Sequence, residues 1–327
     1  MHMIHHTILR AAAALVAGLV GLAGSGLAAD AAAQPATPAQ AGKPRPAQAT
    51  FETPQAAVEA LVAAGKSGVR GSIAEVLGPG AGRVLRSGDP QVDAQAISDF
   101  LVAQQQNSVL EADGKDRANL LIGPNYWPLP FPLVRNGGRW RFDTRAGLQQ
   151  YLDRQIGANE LAVLEVLDSY VQAQREYVLR DRTRNGLLEY AQRMVSSEGL
   201  RDGLYWPAAA GEPLSPMGAR FALASLGPLR GTDDAPEPFQ GYYFRPLTGQ
   251  GPHAADGAYD YIVKRHQIGG FALIATPARH GVSGLMSFIV NHEGVVFSKN
   301  LGRDGSAAAA RLTRFDPDPS WKREPNP

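Results

Sequence analysis

The sequence predicts an α+β protein, with N-terminal helices and a small antiparallel sheet followed by a long amphipathic helix packed on an antiparallel β-meander. Three observations predict it. Apolar residues recur at helical spacing after Thr53-Pro54 and again after Asn159. In the first half helices come first and strands later, the order of an α+β layer pair. Residues 241–301 read as three or four antiparallel strands in succession. The 327 residues are 44% hydrophobic and 19% charged, long enough for two ordinary domains and apolar enough for packed cores.

Residues 1–29 read as a secretory signal. Arg10 supplies the positive start, an apolar run covers 11–27, and small residues at Gly26-Leu27-Ala28 or Leu27-Ala28-Ala29 offer a cleavage site. The alternative is a membrane anchor. The run is glycine-rich and falls short of the roughly 20 apolar residues of a span. No twin-arginine pair is present, so the general export route and a periplasmic or secreted location are expected. No integral membrane span is expected after cleavage. Residues 30–50 are rich in Ala, Pro and Gln. They bury too little surface to offset chain entropy and read as a disordered linker.

The first folded unit is expected over 51–150. Thr53 suits an N-cap and Pro54 the first helical position. A second short helix carries Ile73, Val76 and Leu77 and stops at Gly78-Pro79-Gly80. A third spans 92–106, opened by the turn Ser87-Gly88-Asp89-Pro90. Strands follow at 118–122, 133–134 and 139–143, with Asn136-Gly137 as a hairpin turn. Trp127, Trp140 and Phe131 read as core and turn packing, and 127–132 as a rigid extended segment. The unit is similar to small exported domains of cystatin or nuclear-transport-factor-like shape.

The second unit is expected over 155–303. Asn159 caps a helix running to Val178, with Leu161, Leu164, Leu167, Tyr170 or Val171, Gln174 and Tyr177 or Val178 on one face. Asp181-Arg182-Thr183-Arg184-Asn185-Gly186 has the spacing of half a calcium loop, but its twelfth position is Gln192 and its arginines would repel a cation. It reads as an Asn-Gly turn. A short helix is expected over 187–195, and a loop over 201–218. Strands are expected at 242–247, 267–275 (central), 285–291 and 295–298, with His292-Glu293-Gly294 as a tight turn. The tail, 304–327, reads as a short helix and a loose end.

The chemistry is sparse. Formal net charge is +1, from 32 basic and 31 acidic residues, and the usual Lys/Arg cluster of a membrane-surface binder is lacking. That argues against nucleic acid and offers nothing evident to an anionic membrane. There are no cysteines, which removes disulfides, thiolate sites and a Cys nucleophile. His253, His266, His280 and His292 form no H-E-x-x-H or H-x-H pair. No cofactor or metal is expected. Ser283, three residues after His280, lacks the G-x-S-x-G elbow. These two are the only residues put forward for a hydrolase. The aromatic turns Tyr126-Trp127 and Tyr205-Trp206-Pro207 are the candidate interaction surface, because aromatic residues concentrate at interface hot spots.

Gly241–Phe244, Phe271–Pro277, Ser287–Val290 and Glu293–Val295 carry a pattern that resembles the globular head of type IV pilins and pseudopilins, in which a helix lies across the sheet. A pilin places its hydrophobic helix at the mature N-terminus. Here the helix is soluble and lies in mid-chain, so the resemblance implies a fold and not filament assembly. From Phe51 to Trp321 the chain resembles the bacterial domain-of-unknown-function 2950 family. The segments that carry this are Ser87-Gly88-Asp89-Pro90, Trp140-Arg141-Phe142-Asp143-Thr144, Ile156–Leu161, Tyr170–Tyr177, Leu188–Gln192, Arg201–Pro207, Gly241–Phe244, Gly269–Leu273 and Phe288–Asn291. The resemblance implies an exported cell-envelope protein with no established activity. The expected role is a binding or scaffolding component with an envelope protein partner. The alternative is a periplasmic hydrolase acting on an envelope polymer.

Overall fold

The computed structural model describes residues 48–83, 90–208, 211–218 and 238–325. The expected signal sequence, nearly all of the expected linker and the turn expected at Ser87-Gly88-Asp89 lie outside them. The protein is a mixed α+β fold that divides into two compact units between Arg154 and Gln155.

In the first unit, α1 (Pro54–Lys66) starts where expected. Thr53 Oγ1 accepts the Ala56 N–H and Pro54 stands at the first position. Helix α2 (Arg70–Leu77) ends at Gly78, whose φ of 97° closes the helix. A 3-10 turn at Ala81–Arg83 and α3 (Pro90–Gln106) follow. Five antiparallel strands come next: β1 (Ser108–Ala112), β2 (Arg117–Ile122), β3 (Trp127–Pro128), β4 (Leu133–Asn136) and β5 (Arg139–Phe142). Strand β1 was not expected; it is an exposed edge strand with little apolar alternation. In β2 burial alternates, with Ala118, Leu120 and Ile122 turned inward. These pack with Leu133 and Phe142 against Ala57, Leu61, Ile73 and Phe100 of the helices. Phe51 extends the sheet through two backbone bonds to Trp140. The ordered fold already includes Gln48, whose side-chain amide donates to the carbonyls of Val76, Leu77 and Phe142.

Helix α4 spans Thr144–Tyr177 and crosses the division between the units. Its start corrects the expected cap at Asn159. The cap is Asp143, whose Oδ1 accepts the Ala146 N–H at 3.1 Å, directly after β5. Asn159 sits in mid-helix and donates its side-chain amide to the Ser283 carbonyl. The buried stripe of the second unit is Val163, Leu167, Tyr170, Val171, Gln174 and Tyr177, while Leu161 is exposed.

After α4 the chain is extended. Strands β6 (Arg193–Val195) and β7 (Gly203–Tyr205) pair in parallel. This corrects the short helix expected over 187–195. Non-local partners take its backbone groups: Tyr190 N–H donates to the Gln267 carbonyl, and Ala191 N–H to Gln174 Oε1. Then come β8 (Tyr242–Leu247), β9 (Gly249–Gln250), β10 (Tyr259–Asp260), β11 (Ile262–Val263), β12 (His266–Gln267), β13 (Ala272–Pro277), β14 (Ser287–Asn291) and β15 (Val296–Lys299). Helix α5 (Gly305–Arg311) and strands β16 (Arg314–Phe315) and β17 (Lys322–Arg323) complete the chain.

The main sheet has the order β17-β15-β14-β13-β8, antiparallel throughout, with β13 between β8 and β14. The expected strand over 267–275 is interrupted before β13. Gly270 has φ 131°, and a Cβ there would meet the His292 ring. On one face of the sheet Phe244, Leu273, Ala275, Phe288 and Val290 pack on α4. On the other, Leu247, Ala272, Ile274 and Ile289 pack on Tyr261, Ala309, Phe315 and Trp321. Covering both faces is why β14 is buried at every residue and why residues 272–275 of β13 and 288–290 of β14 are apolar runs. It also corrects the loose end expected for the tail, since Phe315 and Trp321 are core residues and β17 is a strand of the main sheet.

Candidate interaction surface

The turn between β2 and β3 presents two of the expected contact residues. Gly123 closes α3, its N–H donating to the carbonyls of Ala103 and Asn107, and the chain reverses with a Tyr126 N–H bond to the Gly123 carbonyl at 3.1 Å. Tyr126 is held at φ 52°, a left-handed conformation that a bulky side chain adopts only under constraint. Tyr126 is 51% exposed and Trp127 is 48% exposed. Trp127 pairs with Ile122, and Arg154 anchors the following Pro128 by donating from Nη1 to its carbonyl. Of the other aromatics in this unit, Phe131 is buried and Trp140 half-buried.

The second expected pair is placed differently. Trp206 is 4% exposed and belongs to the core under α4. Its indole N–H donates to the Pro213 carbonyl, and the guanidinium groups of Arg182 and Arg201 stand 5.3 and 5.5 Å from its ring centroid. Its aromatic surface is therefore consumed inside the protein. Tyr205 is half-buried. Nearby, the Tyr177 hydroxyl donates to the Arg201 carbonyl, and burial pushes the phenol up to about 12.

The residues put forward for hydrolysis do not form a dyad. Ser283 Oγ accepts from the Arg279 N–H and donates to the Arg279 carbonyl. His280 Nε2 faces Asn300 Oδ1 at 2.9 Å. His253 pairs with Asp316, and His292 packs edge-on against Tyr261 and Phe271. No group of three or more metal-ligating side chains occurs among the described residues. Asp181 is exposed and accepts the N–H groups of Gly186 and Asn185. Those backbone donors, Gly186 foremost, hold its carboxyl below the usual range. An open depression of about 660 Å³ in the first unit is lined by Gln48, Arg141, Asp143, Thr144 and Leu148, among others. Its polar groups serve the fold: Asp143 caps α4 and Thr144 Oγ1 donates to the Leu77 carbonyl.

One polar constellation escaped the sequence. The loop after α4 and the hairpin β11–β12 meet at Glu189, which is 7% exposed. Its Oε1 accepts from Thr183 Oγ1 at 3.0 Å and Asn185 Nδ2 at 2.6 Å, and its Oε2 lies 3.1 Å from His266 Nδ1. Gln192 Nε2 donates to the Arg265 carbonyl. Arg184, Lys264 and Arg265 have φ of 56°, 49° and 72°. The available signals were the Asn-Gly turn and the run Lys264-Arg265-His266, but no local pattern links positions so far apart.

No helix of the described residues is long and apolar enough to cross a membrane. No curated protein and no solved structure matches the chain. The model of the family described as "Protein of unknown function (DUF2950)" matches residues 48–323, and the chain belongs to that family.

Proposed function

We propose that this is an exported cell-envelope protein that works as a binding or scaffolding component and docks a protein partner through the Tyr126-Trp127 turn. The observation that carries the reading is the exposure of two adjacent aromatic side chains on a turn whose backbone is held at positive φ. Such groups offer large contact area at low entropic cost and are enriched at interface hot spots. A backbone strain of about 1–3 kcal/mol is typically kept where it serves a purpose. In this reading residues 1–29 direct export and are then removed. The second unit is a pilin-like head, a helix laid over an antiparallel sheet, without filament assembly. His280 and Ser283 supply no nucleophile and base, so no observation favours the hydrolase alternative.

The test is in-cell photo-crosslinking of the tagged chain from position 125, an exposed position of the same turn, with mass spectrometry of what is captured and fractionation of the envelope. The expected result is one stoichiometric neighbour, lost in Trp127→Ala with thermal unfolding unchanged. A neighbour captured equally by Trp127→Ala, with the fold intact, sinks the docking surface. Recovery of the chain in the cytoplasm sinks the export reading.

A further inference from the structure

We propose that the second unit docks reversibly on an anionic phospholipid surface through two adjoining tips, the loop after α4 and the hairpin β11–β12. This rests on the reading of the protein as an envelope-binding component, but it uses a surface of its own.

Folding assembles a cationic group that the linear sequence disperses. Arg184 comes from one tip, and Lys264 and Arg265 from the other. All three side chains are exposed, and none is in an ion pair among the described residues. The acids nearby are already engaged. Glu189 is buried among its three partners, the exposed Asp181 accepts backbone N–H groups of its own loop, and Glu176 faces Arg182. Left-handed backbone is rare outside glycine. Yet three of the five such residues among those described are these three cations. The bonds from Glu189 and Gln192 hold the two tips together, so the group is preorganised.

Exposed aliphatic side chains flank the cations. Leu187 and Leu188 lie on the first tip, and Val263 and Ile268 on the second, with Leu188 60% exposed. A protein partner is engaged mainly through aromatic and arginine anchors in pockets, with Leu and Val under-represented. Aliphatic tips beside lysine and arginine instead match the boundary between headgroups and acyl chains. There phosphates meet the cations and the apolar ends enter the hydrocarbon. Three cations and a few aliphatic groups give weak, salt-sensitive binding, not insertion.

The test is co-sedimentation of the full chain with vesicles of phosphatidylglycerol and phosphatidylethanolamine, against vesicles of phosphatidylcholine. The expected result is binding to the anionic vesicles only, weakened by salt. The combined variant Arg184→Gly, Lys264→Gly, Arg265→Gly removes the charge while suiting the left-handed backbone. It is expected to lower the partition coefficient about a hundredfold with the unfolding midpoint retained. Leu188→Ser with Ile268→Ser should weaken binding at constant charge. Equal binding to neutral vesicles, or an unaffected glycine variant, overturns the inference. So does capture of an acidic protein at Lys264 with no vesicle binding. Trp127→Ala should leave vesicle binding intact. If vesicles fail to bind while crosslinks from position 125 persist, the lipid surface falls and the aromatic docking turn stands.

Discussion

His266 Nδ1 lies 3.1 Å from Oε2 of the buried Glu189, and this contact fastens two loops whose residues are 77 positions apart. The same carboxylate holds Thr183 and Asn185, so one side chain sets the geometry of both tips. Glu189→Ala should destabilise the protein by about 2 kcal/mol, since charge-assisted hydrogen bonds in a buried setting are lost together. Urea denaturation measures it. Hydrogen exchange should quicken in the loop after α4 and in the β11–β12 hairpin. A loss below about 0.5 kcal/mol would mean the loops are held by other contacts.

Gly147 separates helix propensity from packing. It lies inside α4, where alanine is intrinsically better by about 1 kcal/mol. A Cβ there would fall against the ring of Phe131, a buried core residue. Overpacking of this kind costs about 1–3 kcal/mol. Gly147→Ala is expected to lower stability in a denaturant titration. A stabilised variant would show that Phe131 repacks without penalty.

His292 ties stability to pH. Burial lowers its affinity for a proton, opposed by Glu293 and Asp256 and aided by Arg175. Its Nδ1 is buried without a hydrogen-bond partner among the described residues. The unfolded chain therefore binds the proton more readily than the native one. This contribution is complete above the unfolded value of about 6.5. It is lost as pH falls through the depressed native value. The melting temperature should decline below about pH 6.5. His292→Phe, which keeps the contacts to Tyr261 and Phe271, should flatten that part of the profile. An unchanged slope would assign the decline to other groups.

Trp321 tests whether the C-terminal segment is part of the core. It is 8% exposed, packs with Phe315 and Ile289, and carries Lys299 over its ring at 5.7 Å. Trp321→Ala should destabilise the second unit by about 3 kcal/mol. A thermal shift near zero would return the segment to the status of a dispensable tail.

Local signals in the sequence carried most element identities. Thr53 and Pro54 marked a helix start because capping depends on side chains within one turn. Residues 139–143 showed strand alternation, with Phe142 turned into the core. Gly78 marked a helix end because its conformation is nearly closed to other residues. Where non-local partners decide, the sequence was mute or misleading. Asn159 looked like a cap, yet the true cap, Asp143, follows directly on a strand. Residues 187–195 had helical spacing, but Gln174 and Gln267 claim their backbone groups. The tail looked loose because its few apolar residues are spaced to reach one face of a distant sheet. Trp206 and Trp127 are the same residue type beside a tyrosine and near proline. Only folding puts one between two guanidinium groups in the core and the other on the surface. The sequence alone determined periodicity, caps, turns and the absence of cysteine chemistry, since these act over a few residues. The tertiary structure decided which faces are covered and which charges stand together, because burial and charge clustering arise only when distant segments meet.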